Sequence, residues 1–460
     1  MVSTIVPRLA SLPKTVLEPT CGQGAFLAAA ARRLPRAALA GYDINPAHVE
    51  AARARLTRPR QTILTADFFT VDWEREIAEM RPPILVLGNP PWVTSAGLGA
   101  IGAGNLPTKK NWKGLSGLDA RTGKSNFDVS EWMMLRLLRA LSGTDGTLAM
   151  LCKSAVARRV VEMSARQRWP VHPGAVWRVD AGRHFDAAVD AVLFVCQVSS
   201  APVPDTVSWP IYPSLEAAAP ESTFGITDGA LVADPAAYQR TRALAGRSDP
   251  EWRSGLKHDC ARVMELERRD RRWLNAAGER VDIEPDHRYP LLKSSDLANG
   301  RLDPTRAVIV PHRTLGADTA ALRRQAPKLW SYLSRHRDAL NARKSSIYRG
   351  QPPFSIFGIG AYSFAPWKVA VSGLYKHLRF SVIGPHEGRP VMVDDTCYFL
   401  PFTDESEARQ AASALDSDLA RDFFHGRIFW DAKRPVSKSI LQALDLRRLL
   451  LALRSPPLSA

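Results

Sequence analysis

The chain has 460 residues, of which 62 are lysine or arginine and 46 are aspartate or glutamate, so its formal net charge is +16. This length predicts two or three domains, and a pI near 9.9 points toward a polyanionic partner. The five cysteines are scattered and form no CxxC pair, which argues against a disulfide framework or a metal site. Without a signal-like amino terminus or a membrane-length apolar run, we expect a soluble protein of the reducing cytoplasm, with no membrane partner.

Short apolar segments alternate with helical ones from Thr15 to about Ser200. Strand followed by helix, repeated, predicts an α/β fold with a mostly parallel sheet covered on both faces. Prolines crowd the segment SSAPVPDTVSWPIYPSLEAAAP that follows and predict a linker. We therefore expect a first domain over 1–205, a linker over 206–230 and a second, mixed α/β domain over 231–460.

The first predicted strand runs into a glycine turn, in the stretch LEPTCGQGAF. Gly22 and Gly24 permit a tight turn and a close approach of a ligand to the backbone, and the helix that follows offers unpaired amides. Leu27 stands where a third glycine would complete the GxGxxG pattern of dinucleotide sites. The turn therefore favours a nucleotide-like ligand other than a dinucleotide.

Acidic residues end three consecutive predicted strands, at Glu18, Asp43 and Asp67. Asp43 comes 21 residues after Gly22, where a carboxylate can bind both hydroxyls of a ribose. Asp67 can accept a hydrogen bond from an adenine amino group, and Phe68 beside it can cover the ring. Three acidic strand ends and a glycine turn predict a binding site for an adenosine-containing molecule.

A fourth predicted strand ends in ILVLGNPPW, in which two prolines follow Asn89. Pro90 and Pro91 remove two backbone donors and restrict two φ angles, so the chain leaves the strand in one rigid conformation. The motif falls at the carboxyl end of a predicted parallel strand, where open α/β sheets bind ligands.

A long segment rich in Gly, Lys and Asn runs from Val93 to Phe127, directly after this motif. Long connections of this kind are usually functional or disordered, and we expect this one to close over the ligand. It contains Lys109 and Lys110, two candidates for contacts with a polyanion. Its GKS sequence lacks the earlier glycine and the preceding strand of a phosphate-binding loop. Asp128 is predicted to cap the helix that follows.

The second half of the chain contains a strongly basic window between Arg306 and Arg379, where 13 basic residues face only two acidic ones, Asp318 and Asp338. Aromatic residues are interleaved with the basic ones, a mixture that favours nucleic acid. The alternative is a solvated surface with its own aromatic core. The candidates for phosphate or base contacts are Arg306, Arg313, Arg343, Lys344, Arg349, Lys368, Lys376 and Arg379.

Taken in order, these motifs resemble those of S-adenosylmethionine-dependent DNA methyltransferases that methylate amino groups, in particular the adenine-N6 enzymes of the γ arrangement. LEPTCGQGAF looks like their first motif, GYDINP the second, ADFF the third and GNPPW the catalytic motif, while HFDAAVDAVLFV (184–195) is similar to a later one. The resemblance implies a Rossmann-like methyltransferase domain with a mostly parallel seven-stranded sheet, followed by a DNA target recognition domain. It covers residues 15 to 200, and the family usually has Tyr or Phe where this chain has Trp92.

The resemblance also implies the roles of single residues. Asn89 and the carbonyl of Pro90 would accept hydrogen bonds from the target amino group, Pro91 would keep them aimed, and Trp92 would stack on a base flipped from the helix. Phe185 would border that base. The residues that would bind S-adenosylmethionine are Glu18, Pro19, Gly22, Gly24, Asp43, Ile44, Asp67 and Phe68.

The expected function is therefore site-specific N6-adenine methylation of duplex DNA by a monomer, with a cognate restriction endonuclease as a further partner. The alternatives are a cytosine-N4 or RNA base methyltransferase, a protein-glutamine methyltransferase, or a fusion with an endonuclease. All the methyltransferase alternatives act on a planar amine, so the motif does not separate them. The basic second domain favours a nucleic acid over a protein substrate.

Overall fold

The computed structural model describes residues 1–93, 128–182 and 190–454. The chain forms two compact units, Met1–Pro235 and Ala236–Ala460. The boundary lies close to the start predicted for the second domain.

Unit 1 is built around a ten-stranded sheet in the order β10-β9-β8-β6-β7-β5-β4-β1-β2-β3. Within it only β7 and β9 run against the other strands, so the prediction of a mostly parallel α/β sheet is confirmed. The strands are β1 Thr15–Glu18, β2 Ala38–Asp43, β3 Gln61–Thr65, β4 Ile84–Gly88, β5 Gly146–Lys153, β6 Val171–Asp180, β7 Asp190–Val198, β8 Val207–Tyr212, β9 Ser222–Thr227 and β10 Ala230–Val232.

The central strands of this sheet are buried from end to end. Every residue of β1 and of β4 is buried, as expected for parallel strands that are covered on both faces. The covering helices are α1 Val2–Ile5, α2 Ala25–Arg33, α3 Pro46–Arg55, α4 Trp73–Ala78, α5 Val129–Leu141 and α6 Ser154–Arg166.

Local sequence explains where these helices begin. The side chain of Asn45 accepts from the N–H of Ala47 at the start of α3, where Pro46 occupies the first helical position. Asp128 accepts from the N–H of Ser130 at the start of α5, so the predicted cap and the helix after it are confirmed.

The segment 206–230, predicted as a linker, instead extends the sheet of unit 1. It contains β8 and β9 and the first residue of β10, and β8 pairs with β6. Val207 and Trp209 are buried on alternate positions, and Tyr212 stacks on Trp177 with ring centroids 5.3 Å apart. The apolar alternation therefore outweighs the prolines that suggested irregular structure. The resemblance implied a sheet of seven strands, whereas the sheet of unit 1 has ten.

Unit 2 is a mixed α/β structure with two smaller sheets, as predicted. Their strand orders are β11-β19-β16-β17 and β13-β12-β15-β14-β18. The strands are β11 Arg253–Ser254, β12 Glu265–Arg269, β13 Arg272–Leu274, β14 Arg288–Leu292, β15 Arg306–Ile309, β16 Trp367–Ser372, β17 Ser381–Ile383, β18 Met392–Val393 and β19 Cys397–Phe402.

The helices from the unit boundary onward are α7 Pro235–Arg240, α8 Ala261–Met264, α9 Ser294–Ala298, α10 Leu322–Gln325, α11 Pro327–Arg335, α12 Arg337–Asn341, α13 Glu405–Leu415, α14 Asp418–His425, α15 Lys438–Gln442 and α16 Leu446–Arg454. Short 3-10 turns occur at Val6–Arg8, Arg242–Leu244, Pro285–His287, Thr319–Ala321, Ser346–Tyr348 and Ala361–Phe364. In the described parts of the chain, no helix has the length and apolarity needed to cross a membrane.

Candidate active site

The sheet of unit 1 changes its winding direction at β1, which lies between β2 and β4. Open α/β sheets bind ligands outside the carboxyl ends of the strands at such a point. Glu18 ends β1, Asp43 ends β2, Asp67 follows β3 and Asn89 follows β4. The structure therefore brings the motif residues predicted from four separate segments to one edge of the sheet.

The glycine turn after β1 requires its glycines for two different reasons. Gly22 and Gly24 have φ angles of +49° and +73°, which disfavour residues with a side chain. A Cβ at Gly24 would lie 3.0 Å from the Cβ of Ala52, so this glycine allows α2 to pack closely on α3. A Cβ at Gly22 would meet no atom within 4 Å, so the backbone there faces open space. Gly22 is thus the position at which a ligand can approach the backbone.

Glu18 is nearly completely buried, with 2% of its surface exposed. Its carboxylate accepts a hydrogen bond from the N–H of Leu27, in the first turn of α2, at 3.3 Å. Burial raises the pKa of Glu18 well above its usual range, and the nearby Asp43 raises it further, while the hydrogen bond from Leu27 lowers it. A cation bound beside this carboxyl group would stabilise its charged form.

The ends of β1 and β4 lie close together. A Cβ at Gly88 would lie 3.8 Å from the Cγ of Glu18 and 4.0 Å from the Cδ of Pro19. Two predicted cofactor residues therefore lie beside the residue that precedes Asn89.

Asp43 is tied to the turns on both sides of it. One carboxylate oxygen accepts from the N–H of Gly22 at 2.8 Å, and the other accepts from the N–H of Asn45 at 2.9 Å and lies 3.3 Å from Nδ1 of His48. Ile44, the next residue, is 53% exposed, which is unusual for a large apolar side chain at a strand end. It leaves an apolar surface beside a fixed carboxylate. His48 was not predicted, because nothing in the sequence shows that the first turn of α3 faces Asp43.

Asp67 and Phe68 differ in how much surface they offer. Asp67 is half-buried and accepts from the N–H of Phe69 at 3.0 Å. The ring of Phe68 packs against Trp73 and Trp132, with centroid distances of 4.9 and 6.1 Å, and only 5% of the residue is exposed. The ring therefore belongs mainly to the aromatic core. Little of it remains to cover a bound heterocycle, which is the role predicted for it.

The Asn-Pro-Pro-Trp motif begins where β4 ends. Asn89 is exposed, Pro90 is buried, Pro91 is exposed and Trp92 is half-buried. The indole N–H of Trp92 donates to the carbonyl of Leu151, near the end of β5, at 3.3 Å. The motif thus presents a polar amide to solvent while both its backbone and its aromatic residue are held by the sheet.

Three predicted contact residues, Phe185, Lys109 and Lys110, lie outside the described residues. Five of the remaining basic candidates are exposed: Arg313, Lys344, Arg349, Lys376 and Arg379. Arg306 is half-buried and pairs with Asp296 at 3.2 Å. Within the described structure Lys344 and Arg349 have no acidic partner, so their charges remain available to a ligand.

Arg343 and Lys368 do not fit the predicted role in DNA contacts. The guanidinium of Arg343 donates to the carbonyls of Leu340, His258 and Ser355 and lies 3.7 Å from the ring centroid of Tyr348. Lys368 is 1% exposed in β16, and its ammonium group donates to the carbonyl of Ala365 at 2.7 Å. Both groups donate to backbone carbonyls within unit 2, which offsets part of the cost of removing their donors from water.

The basic window also supplies part of the core of unit 2. Tyr332 and Phe354 are buried there, and the hydroxyl of Tyr332 donates to the carbonyl of Val263 at 2.8 Å. The aromatic side chains of the window are thus not all available for stacking on bases. No cluster of His, Cys, Asp and Glu suited to a metal ion occurs among the described residues.

No protein-family model matches the chain. It is 41% identical over 440 residues to the type II methyltransferase M.NspV of Nostoc sp. (strain ATCC 29411 / PCC 7524), covering 94% of this chain and 91% of that protein. A shorter match of 82 residues, at 32% identity, joins 18% of this chain to 19% of the type II methyltransferase M.CvrRI of Paramecium bursaria Chlorella virus XZ-6E.

The fold is similar to that of the type IIL restriction-modification enzyme MmeI, whose structure was solved in complex with DNA. The TM-score is 0.58 at 12% identity, and the match covers 93% of this chain and 62% of that one. Unit 1 and unit 2 are both included in a match of this extent. By its identity to M.NspV over nearly the whole of both proteins, the chain belongs to the type II methyltransferases, which take their methyl group from S-adenosylmethionine.

Proposed function

We propose that this protein methylates the N6 amino group of an adenine flipped from duplex DNA, at a specific site, as the modification enzyme of a restriction-modification system. The observation that carries the proposal is the Asn-Pro-Pro-Trp motif at the switch point of the sheet, where an exposed Asn89 follows a fully buried strand. A cognate restriction endonuclease is the partner that such a system would require.

The chemistry of an exocyclic amine explains why this motif suits the reaction. The lone pair of the amine is delocalised into the ring, so the nitrogen is a poor nucleophile. Two fixed acceptors, the side-chain oxygen of Asn89 and the carbonyl of Pro90, oppose that delocalisation and stabilise the positive charge that develops on nitrogen. The prolines restrict the backbone, so little reorganisation is needed when the base arrives.

The residues at the sheet edge fit S-adenosylmethionine. Gly22 leaves open space beside the backbone, Asp43 presents a fixed carboxylate, and Ile44 presents an apolar surface. A cationic ligand would stabilise the charged form of Glu18, which burial alone disfavours. When bound, the cofactor supplies an electrophilic methyl group on its sulfonium. The chain's residues would hold the cofactor and the amine beside each other, because Glu18 lies beside the residue that precedes Asn89.

DNA as the substrate is supported by the charge of unit 2. Lys344, Arg349 and Lys376 are exposed and have no ion-pair partner in the described part of the chain. The exposed Arg313 lies over the ring of Phe364, with 4.8 Å between the guanidinium carbon and the centroid, and donates to the hydroxyl of Tyr289. We assign these side chains mainly to phosphate contacts, which would position the duplex.

Cytosine-N4 methylation is the second candidate, because its target is also a planar exocyclic amine that two acceptors can activate. RNA would be attracted by the same charges. A protein-glutamine substrate does not account for the exposed cations of unit 2.

The test is transfer of radiolabelled methyl from S-adenosylmethionine to unmodified duplex DNA, RNA and a protein extract, followed by nucleoside analysis of the labelled product. N6-methyladenine in DNA is the expected result, whereas N4-methylcytosine would support the second candidate. Label only in RNA or protein would overturn the assignment of the substrate. Asn89→Ala should abolish transfer while cofactor affinity is retained, and loss of both would contradict the catalytic role of the motif.

A further inference from the structure

We propose that Lys153 and Asp128 are positioning residues of the Asn-Pro-Pro-Trp motif, which they serve by holding Trp92 in the orientation needed to stack on the target base. The inference rests on the proposed function, since both residues are assigned a role in supporting a motif that we take to be catalytic. From the sequence, Asp128 was predicted only as a helix cap, and Lys153 was assigned no role.

Trp92 is held by its backbone and by its side chain at the same time. The ammonium group of Lys153, the last residue of β5, donates to the backbone carbonyl of Trp92 at 3.1 Å. The indole N–H of Trp92 donates to Leu151 on the same strand. Both hydrogen bonds join Trp92 to the last three residues of β5, so one strand fixes both its backbone and its ring.

The bond to Leu151 explains why this chain has tryptophan at the last position of the motif. The parallel ladder between β4 and β5 ends with Gly88 opposite Met150. Leu151 lies one residue beyond this point, and its carbonyl accepts from the indole of Trp92 instead of from a further residue of β4. Phenylalanine has no donor for this carbonyl, and the donor of tyrosine lies farther along the ring axis.

Asp128 fixes the position of the Lys153 ammonium group that donates to Trp92. Its Oδ2 lies 2.7 Å from the ammonium group of Lys153, and its Oδ1 accepts from the N–H of Ser130 at 3.2 Å and from the hydroxyl of Ser130 at 2.6 Å. The carboxylate is buried, with 5% of its side chain exposed. The next residue, Val129, donates its N–H to the carbonyl of Val93 at 2.9 Å. The start of α5, the end of β5 and the exit of the motif are therefore joined.

The carboxylate of Asp128 also balances the positive charge of Lys153. An unpaired ammonium group beside the motif would oppose the positive charge that develops on the attacking amine. Paired with Asp128, Lys153 contributes two hydrogen-bond donors with little net charge. The buried oxygens of Asp128 in turn find their partners in Ser130 and Lys153.

The test is the single-turnover rate of methyl transfer to unmethylated plasmid DNA, with enzyme in excess and S-adenosylmethionine saturating, for Lys153→Met and Trp92→Phe. Affinities for S-adenosylmethionine and for the plasmid are measured by calorimetry and filter binding. For Lys153→Met we expect the rate to fall roughly 10- to 100-fold, the effect of misplacing a reacting group by about an ångström. Both affinities should stay unchanged, and Lys153→Arg should recover most of the rate because a guanidinium can donate to both partners.

Arg159→Met is the matched control. Arg159 pairs with the buried Glu131 in the first turn of α5 at 2.5 Å, so its loss loosens the same helix. We expect lower stability and a wild-type rate for this variant. A wild-type rate for Lys153→Met would overturn the proposal, and so would an equal loss of rate in Arg159→Met. If Lys153→Met unfolds more readily than the control, the rate of Trp92→Phe, which lacks the bond to Leu151, is used instead. A wild-type rate for that variant would then overturn the proposal. A wild-type chain that labels no DNA would instead overturn the proposed function, and this inference with it.

Discussion

Asp43 accepts a hydrogen bond from the backbone N–H of Gly22 at 2.8 Å, which joins the glycine turn after β1 to the end of β2. A carboxylate has about four acceptor positions, so Asp43 keeps capacity for the hydroxyls of a ribose after binding Gly22 and Asn45. The contacts made within the protein orient the carboxylate before a ligand binds.

Asp43→Asn should weaken S-adenosylmethionine binding roughly 10- to 100-fold, the value of a charge-assisted hydrogen bond, because the amide has a single acceptor oxygen. Titration calorimetry measures the affinity, and the rate at saturating cofactor should remain close to that of the wild type. Glu50→Gln is the control, since Glu50 is an exposed carboxylate on α3 that pairs with Arg53. If Asp43→Asn and the wild type bind S-adenosylmethionine equally well, Asp43 does not contact the cofactor.

Glu18→Gln should bind S-adenosylmethionine more weakly and yet make the free protein more stable. Burial raises the pKa of Glu18 in the folded state, so stability is lost as the pH rises from the pKa of the unfolded chain through that of the folded one. Glutamine does not ionise, so the gain in unfolding temperature should be larger at about pH 8 than near pH 4, the unfolded pKa of glutamate. Thermal unfolding at several pH values checks this. A gain in unfolding temperature that grows toward acid pH would contradict the raised pKa of Glu18.

Replacement of Lys344 and Arg349 by glutamine should weaken DNA binding and flatten its salt dependence. Both side chains are exposed without an acidic partner in the described structure. Each phosphate contact contributes about 0.9 to the slope of log K against log salt, so the slope should become smaller by about 2. Filter binding between low and physiological salt measures it.

Lys328 and Arg335 provide the control for this pair. They are also exposed on unit 2 but form ion pairs with Asp282 at 3.0 Å and with Glu279 at 3.1 Å. Their replacement by glutamine should leave the slope nearly unchanged. A slope that responds to both pairs alike would show that total charge, rather than the turn at Lys344 to Arg349, determines DNA affinity.

Lys368→Met should leave DNA binding unchanged and stabilise the fold, most strongly at low pH. Burial lowers the pKa of Lys368 from 10.5 to about 7, so the folded state binds this proton less tightly than the unfolded chain does. The wild type therefore gains stability as the pH rises from about 7 toward the unfolded pKa, and the advantage of the variant should narrow over that range. Denaturant unfolding at pH values on both sides of 7 measures the difference. Weaker DNA binding in this variant would show that Lys368 contributes to the DNA contacts after all.

The strands of the parallel sheet and the polar residues that follow them could be predicted because each depends on local sequence. Apolar runs such as ILVLG identify a buried parallel strand, and the residue after each run is placed at the same sheet edge by topology alone. The segment 206–230 was misread for the same reason: its prolines are a local signal, whereas the pairing of β8 with β6 is a long-range one.

Composition overstated the number of cations that face solvent. Arg343 and Lys344 are adjacent in sequence, yet the first donates to three backbone carbonyls while the second is exposed. A count of basic residues does not distinguish them, because the acceptors of Arg343 include His258, which is distant in the chain. Lys153 was missed for a similar reason, since its partner Trp92 lies 61 residues away.

The two edges of the large sheet bear on how the protein behaves in solution. A strand with unpaired amides can add to the sheet of another molecule, and long, flat, apolar edges are the most hazardous. One edge is β10, which has three residues, and the other is β3, which has five and buries only Ile63. Neither edge gives a second molecule a long apolar template, so a ten-stranded sheet of this kind restricts edge-to-edge aggregation through the brevity of its outermost strands.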